Sequence, residues 1–258
     1  MSNAKIIGVI IMVALFAVFT ASGAYAGKKS INPEDFNLSK AKTDVVFDSS
    51  VFQSGITSDK SIGTLAKEQS TIGTKATAYG FAAKSEEAKF FLIGTLYAEA
   101  LAYLRSNDID LAADRLKAIE KNFIDLNVPS SLYNYISKTR NLLETKRYSV
   151  EVVGEFLSLF QPFYEDYAKG KGDDWLTLFR AGTWLVDMSL AAAAGDTNLL
   201  RQKAKLDYFT TEMKRMDAPK GALDALAEIT KISEQKEIAE KDAKQVLKLV
   251  KKIQTVLG

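Results

Sequence analysis

A turn-and-helix pattern that occurs twice constrains this chain more than any other feature. Gly94-Thr95, followed by Glu99, Asn107-Asp108 and Val128-Pro129, returns as Gly182-Thr183, Asp187, Gly195-Asp196 and Ala218-Pro219. The spacing is about 88 to 90 residues and is kept by turn residues as well as apolar ones, which duplicated helical units produce and a one-off enzyme fold does not. Residues 88–168 and 174–258 are therefore expected to form two related four-helix units.

Periodicity fills in the helices. Phe90, Phe91, Gly94, Tyr97, Ala98, Leu101 and Leu104 recur at three- and four-residue spacing, which predicts a helix with one apolar face that stops at Ser106-Asn107-Asp108. A second helix is expected over 110–126, ended by Asn127-Val128-Pro129 because the residue before proline is pushed out of the helical region. A third covers 130–145 and a fourth 149–169, the latter kinked at Pro162. Lys169-Gly170-Lys171-Gly172-Asp173-Asp174 is the clearest break, with Asp174 placed to cap the next helix. The second unit repeats the plan with helices over 175–194, 197–216, 220–233 and 236–257. The fold class is thus all-α, built of antiparallel helical hairpins.

The first residues read as a signal peptide, 1–26. Lys5 gives a positive start, Ile6 to Ala21 an apolar stretch, and Ala24-Tyr25-Ala26 the small residues a signal peptidase reads, so cleavage is expected before Gly27. The mature protein would then be periplasmic or secreted, the alternative being a retained N-terminal membrane anchor. Residues 27–61 are rich in Ser, Thr, Asp and Lys and read as a flexible arm. Within them Thr43 to Phe47 and Val51-Phe52 suit a short strand, or a tail that packs loosely. Residues 62–87 carry three Gly-containing stretches and read as an N-terminal helical cap.

Composition excludes more than it identifies. The chain has no His and no Cys. This removes the usual zinc, haem and iron–sulfur ligands and every triad that uses His as base, and leaves carboxylates, Lys, Tyr, Ser or Thr for any chemistry, with carboxylate-bound calcium or magnesium open although no EF-hand loop is present. No cofactor and no catalytic role is expected, because no residues form a recognisable nucleophile, base and oxyanion arrangement; a carboxylate-dependent enzyme resting on Glu99 and Asp187 is the least favoured alternative. With 34 Lys+Arg against 32 Asp+Glu there is no long-range field for nucleic acid, and partners must be chosen by local surface.

The run Ala102-Tyr103-Leu104-Arg105-Ser106-Asn107-Asp108-Ile109-Asp110-Leu111-Ala112 resembles a tetratricopeptide hairpin. In that family an Ala-Tyr pair ends the first helix, an Asn-Asp or Gly-Asp turn follows, and an Ala one turn into the second helix lets the two pack closely. The resemblance covers two hairpins. It departs in period, since those repeats recur at about 34 residues, and the stretch around Asn198-Leu199-Leu200 lacks the close-packing Ala. It implies stacked hairpins with a surface for protein or peptide.

Six residues are candidates for a ligand site: Thr95, Glu99, Arg180, Thr183, Trp184 and Asp187. Glu99 and Asp187 hold equivalent places, each one helical turn after a Thr, and two such carboxylates brought together would suit acid–base work or an ion. The structural reading is that each is tied to a Tyr, Lys or Arg and sets helix register. Arg180, Trp184 and Asp187 share one face, where Arg stacked on Trp would suit an anion, an aromatic ligand, or merely a neighbouring helix. The aromatic stretch from Phe156 to Trp184 suits a groove for an apolar ligand or partner helix, or plain core packing. Lys241, Lys244, Lys248, Lys251 and Lys252 make the last helix basic opposite its apolar stripe, which suits peripheral contact with an anionic membrane or a solvated outer face. The function expected is an exported helical-repeat binding or scaffolding protein acting on another envelope protein or peptide. The alternative is a small-ligand-binding protein using an aromatic pocket between helices.

Overall fold

The computed structural model describes residues 85–257. The expected signal peptide, arm and all but the end of the cap lie outside the described residues. Those described are helical with no strand. Among the described residues there are nine helices, or eight if the kinked pair α4 and α5 is taken as one: α1 Glu86–Arg105, α2 Ile109–Asp125, α3 Ser130–Glu144, α4 Val150–Leu159, α5 Gln161–Lys171, α6 Asp173–Ala194, α7 Lys203–Arg215, α8 Lys220–Ser233 and α9 Glu240–Leu257.

The repeated turn residues have a common physical cause. Asn107, Gly195, Asn127 and Asp217 all have positive φ, between 52° and 65°, just past the end of a helix. In each case the next amide donates back to a carbonyl of the final turn: Asp108 to Tyr103, Asp196 to Ala191, Val128 to Phe123 and Ala218 to Met213. This is the left-handed helix stop that Gly and Asn tolerate best, and it satisfies carbonyls the helix leaves open. Proline then follows directly at 129 and 219 and starts α3 and α8.

The spine of the fold is α1 against α6. α4 and α5 run back along α1, with the Tyr97 hydroxyl on the Leu157 carbonyl and the Phe90 ring stacked on Tyr167. α6 then turns back along α5, with Arg180 on Glu165, so α1 and α6 run in the same direction. Their closest approach is reciprocal. Gly94 lies on the Phe179 backbone and Gly182 on the Phe91 and Thr95 backbone, and a side chain at either glycine would overlap a carbonyl oxygen. Glycine is required at both positions because the two backbones touch.

Each helix also lends an aromatic ring to the other's surroundings. One core cluster gathers α1 to α5 and takes in Phe179, Val186 and Leu190 of α6; the other gathers α6 to α9 and takes in Phe91 of α1. As a result α1 and α6 are buried nearly all round, with Phe90 to Leu104 and Leu176 to Ala192 inaccessible. This corrects the expectation of a single apolar face on the first helix. A helix apolar on every side belongs in the middle of a fold.

Other corrections are local. The fourth helix breaks at Phe160, and Pro162 opens α5 in the first turn, where its missing N–H is harmless. The second helix of the second unit begins at Lys203, after a turn-rich stretch, where 197 was expected. The last begins at Glu240 where 236 was expected. Asp174 does not cap α6; the helix starts at Asp173, two residues before the expected 175, and Asp174 instead pairs with Arg215 of α7.

Candidate functional site

Thr95 and Thr183 each follow a crossing glycine and turn their hydroxyls onto their own helix. Thr95 Oγ1 donates to the Phe91 carbonyl at 3.1 Å and Thr183 Oγ1 to the Arg180 carbonyl at 2.8 Å. Both are buried and have what a buried hydroxyl needs.

One turn further on, the two carboxylates face different helices. Glu99 turns to α2, where Arg115 Nε donates to its Oε2 at 2.5 Å, and the guanidinium also lies 5.4 Å from the centre of the Tyr103 ring. Burial pushes the Glu99 carboxyl up and the Arg115 charge pulls it back. Burial works against the Arg115 charge, but Glu99 and Tyr103 together outweigh it and hold the guanidinium more firmly protonated. This pair ties α1 to α2 inside the fold.

Asp187 is different. Its carboxyl is buried, and its Oδ1 has no hydrogen-bond partner. Burial raises its pKa to about 7, against the opposing pull of Lys205 on α7 and Arg105 at the end of α1. Lys205 is itself buried. Arg105 is half-buried, with Nη1 enclosed and without a partner. Glu99 thus bonds to α2, Asp187 feels charges on α7 and at the end of α1, and the two carboxyls share no partner.

Arg180 and Trp184 part company. Arg180 places Nε and Nη2 on Glu165 Oε2 of α5, at 3.1 and 2.9 Å. Trp184 stacks on Phe209 of α7 at 4.7 Å and donates Nε1 to Gln202 Oε1 at 3.0 Å. The cation–π contacts among the described residues are instead Arg115 on Tyr103 and Lys171 on Tyr167 and Trp175.

Most of the aromatic stretch is core. Tyr164 packs on Tyr97 and Phe123, and Phe160 stacks on Tyr135. The exposed large apolar side chains are Leu159 (51%), Ile124 (51%) and Phe163 (38%). Leu159, Pro162 and Phe163, around the break between α4 and α5, are all exposed. On α9, Lys241, Lys244, Lys248 and Lys252 are exposed and Lys251 half-exposed; Lys244 pairs with Glu240. Among the described residues no three His, Cys, Asp or Glu side chains are grouped to hold a metal ion, and no helix is long and apolar enough to cross a membrane.

Sequence reasoning missed the partners of these groups. Arg115 and Lys205 occupy matched places in the repeated pattern, so the repeat itself held that signal. Arg105 has none, because Ala193 stands at its counterpart. No family model, no curated protein and no solved structure matches this chain.

Proposed function

We propose that this protein is an exported, non-catalytic helical module, built of two related halves, that binds another envelope protein or a peptide. The observation that carries the reading is that Leu159, Pro162 and Phe163, within five residues of one another at the α4–α5 break, are all exposed. Exposed apolar side chains grouped on one face favour contact with a partner over contact with water. The polar groups that an enzyme or pocket would need point the other way. Glu99, Arg180, Thr95 and Thr183 have their partners inside the fold. The reciprocal glycine crossing and the matched helix stops support two related halves, and the tetratricopeptide-like hairpin at 102–112 is in keeping with a binding surface.

The test is a photo-crosslinking residue at position 159, expressed in the native host, with the same residue at position 248 as control. A discrete crosslinked species from position 159 alone supports the reading. No adduct at 159, or equal adducts at both positions, overturns it.

A further inference from the structure

The outer face of α9 carries almost a single sign of charge. Lys241, Lys244, Lys248 and Lys252 are exposed and Lys251 half-exposed. On a helix these five fall within about 100° of arc and about 16 Å of length. From Ala243 to Leu257 there are four lysines and no acid. Of the five, only Lys244 is in an ion pair among the described residues, with Glu240 one turn back.

The ordinary needs of a helix do not call for such a row. Lysines favour a helix C-terminus through its last turn, and the last turn of α9 has none. Solubility is met elsewhere by mixing signs: Asp110, Asp114, Lys117 and Lys121 alternate on the exposed side of α2, as do Lys220, Asp224, Glu228 and Lys231 on α8. At the matched place in the first half, α4 and α5 have no Lys or Arg from 150 to 168 and carry Glu151, Glu155, Glu165 and Asp166. The row therefore belongs to α9 and not to the repeated pattern.

Its chemistry selects the partner. Ala243, Val246, Leu249, Val250 and Ile253 are buried in the second core cluster, so α9 has no apolar side left to dip into a bilayer and can act only by charge. Lysine is a point charge on a flexible stem and suits headgroups that move sideways, whereas the arginine fork suits fixed groups. Arg115, Arg140, Arg180, Arg201 and Arg215 are all held on acids or carbonyls of the fold. α9 also has no aromatic ring on which a nucleic-acid base could stack.

We propose that the lysine face of α9 docks on an anionic lipid surface, with the helix lying flat and held by charge without insertion. Five lysines less Glu240 and Asp242 leave three net positive charges on α9, and the two lysines and two acids of α8 cancel. At about fivefold per charge near such a surface, the face is worth about a hundredfold in partition. The proposal goes beyond the partner reading and does not depend on it.

Flotation of the full chain with phosphatidylcholine vesicles, and with vesicles of which about a third is phosphatidylglycerol, tests it at about 0.1 M and about 0.5 M sodium chloride. Attachment through the apolar stretch 6–21 does not depend on lipid charge and cancels in the ratio of the two. Partition about a hundredfold stronger on the anionic vesicles is expected at the lower salt, and most of that gain should vanish at the higher. Lys241→Gln, Lys244→Gln, Lys248→Gln and Lys252→Gln together should bring it down to the neutral-vesicle level. Lys117→Gln, Lys121→Gln, Lys138→Gln and Lys146→Gln together remove the same net charge from other exposed positions and should leave it unchanged. Equal partition on both vesicles, wild-type partition in the α9 variant, or equal loss in the two variants would overturn the proposal. Release from the vesicles by a duplex oligonucleotide at equal phosphate concentration would overturn it too, because the face would then fit a nucleic acid better than a membrane. Failure here leaves the crosslinking result at position 159 untouched, and the reverse also holds.

Discussion

Replacing Gly182 by alanine tests the spine of the fold through two opposed effects. Alanine is the better helix former by about 1 kcal/mol, which on its own stabilises α6. The new methyl group, however, would overlap the Phe91 carbonyl oxygen and lie 2.8 Å from the Thr95 nitrogen and 3.0 Å from Thr95 Oγ1. Two of these three atoms are backbone in a helix buried on every side, so they cannot swing away. α1 and α6 must separate, and a gap of about 0.5 to 1 Å forfeits a quarter to a half of the dispersion contact along it. Overpacking of this kind costs about 1 to 3 kcal/mol, and losing the Thr95 hydrogen bond adds about 1 kcal/mol. The net expectation is a loss of about 1 to 3 kcal/mol. Urea denaturation gives the answer directly as a lowered midpoint with unchanged slope. Gly170→Ala is the control, since its methyl meets nothing within 4 Å and should be neutral or stabilising by up to about 1 kcal/mol. If Gly182→Ala is as stable as wild type, the backbone contact at this crossing is wrong.

Further outcomes follow from single groups. Asp187 has a carboxyl pKa raised from 3.8 to about 7, so its contribution to stability is full at low pH and is lost as pH rises from about 4 through 7, on the order of 4 kcal/mol in all. Asp187→Asn should flatten that slope and be the more stable protein at pH 8; denaturant melts from pH 5 to pH 8 showing the wild-type slope would contradict this. Glu99→Gln leaves Arg115 buried without its counter-charge and should cost about 3 to 5 kcal/mol, most of it recovered in the double variant with Arg115→Met. Thermal melts of the three proteins decide this, and additive losses would reject the pairing. Lys146 holds φ at 51° on the surface, so Lys146→Gly should raise stability by up to about 1 kcal/mol in the same assay, and a loss would count against that backbone.

Much of this fold was legible because its punctuation is chemical. Asn107, Asn127, Gly195 and Asp217 end helices where a left-handed residue is needed, and the prolines at 129 and 219 begin the next ones. Such signals are local and survive in the sequence. What was not legible is what depends on three dimensions. Nothing in α1 or α6 alone says that they run side by side in the same direction, so their apolar residues read as a face when they are a full girdle. Of the six candidate residues, all are buried as their apolar flanks suggested, but their partners come from elsewhere: Arg115 from α2, Glu165 from α5, Gln202 from before α7. The Arg180 and Trp184 pair failed as a unit because spacing on a helix fixes a face and not the neighbour that face meets. The exposed Leu159 could not be told from core by periodicity, since the break at Phe160 resets the helix phase.

The central claim is that function lies on the outer apolar patch, so the most direct measurement compares recovery of the crosslinked partner by Leu159→Glu and by Lys248→Glu. Both positions are exposed, so both variants should fold, as circular dichroism would verify. The expected result is at least a tenfold loss of partner with Leu159→Glu and none with Lys248→Glu. Undiminished recovery with Leu159→Glu, or loss with Lys248→Glu alone, would contradict the account and move the binding surface to the basic face of α9.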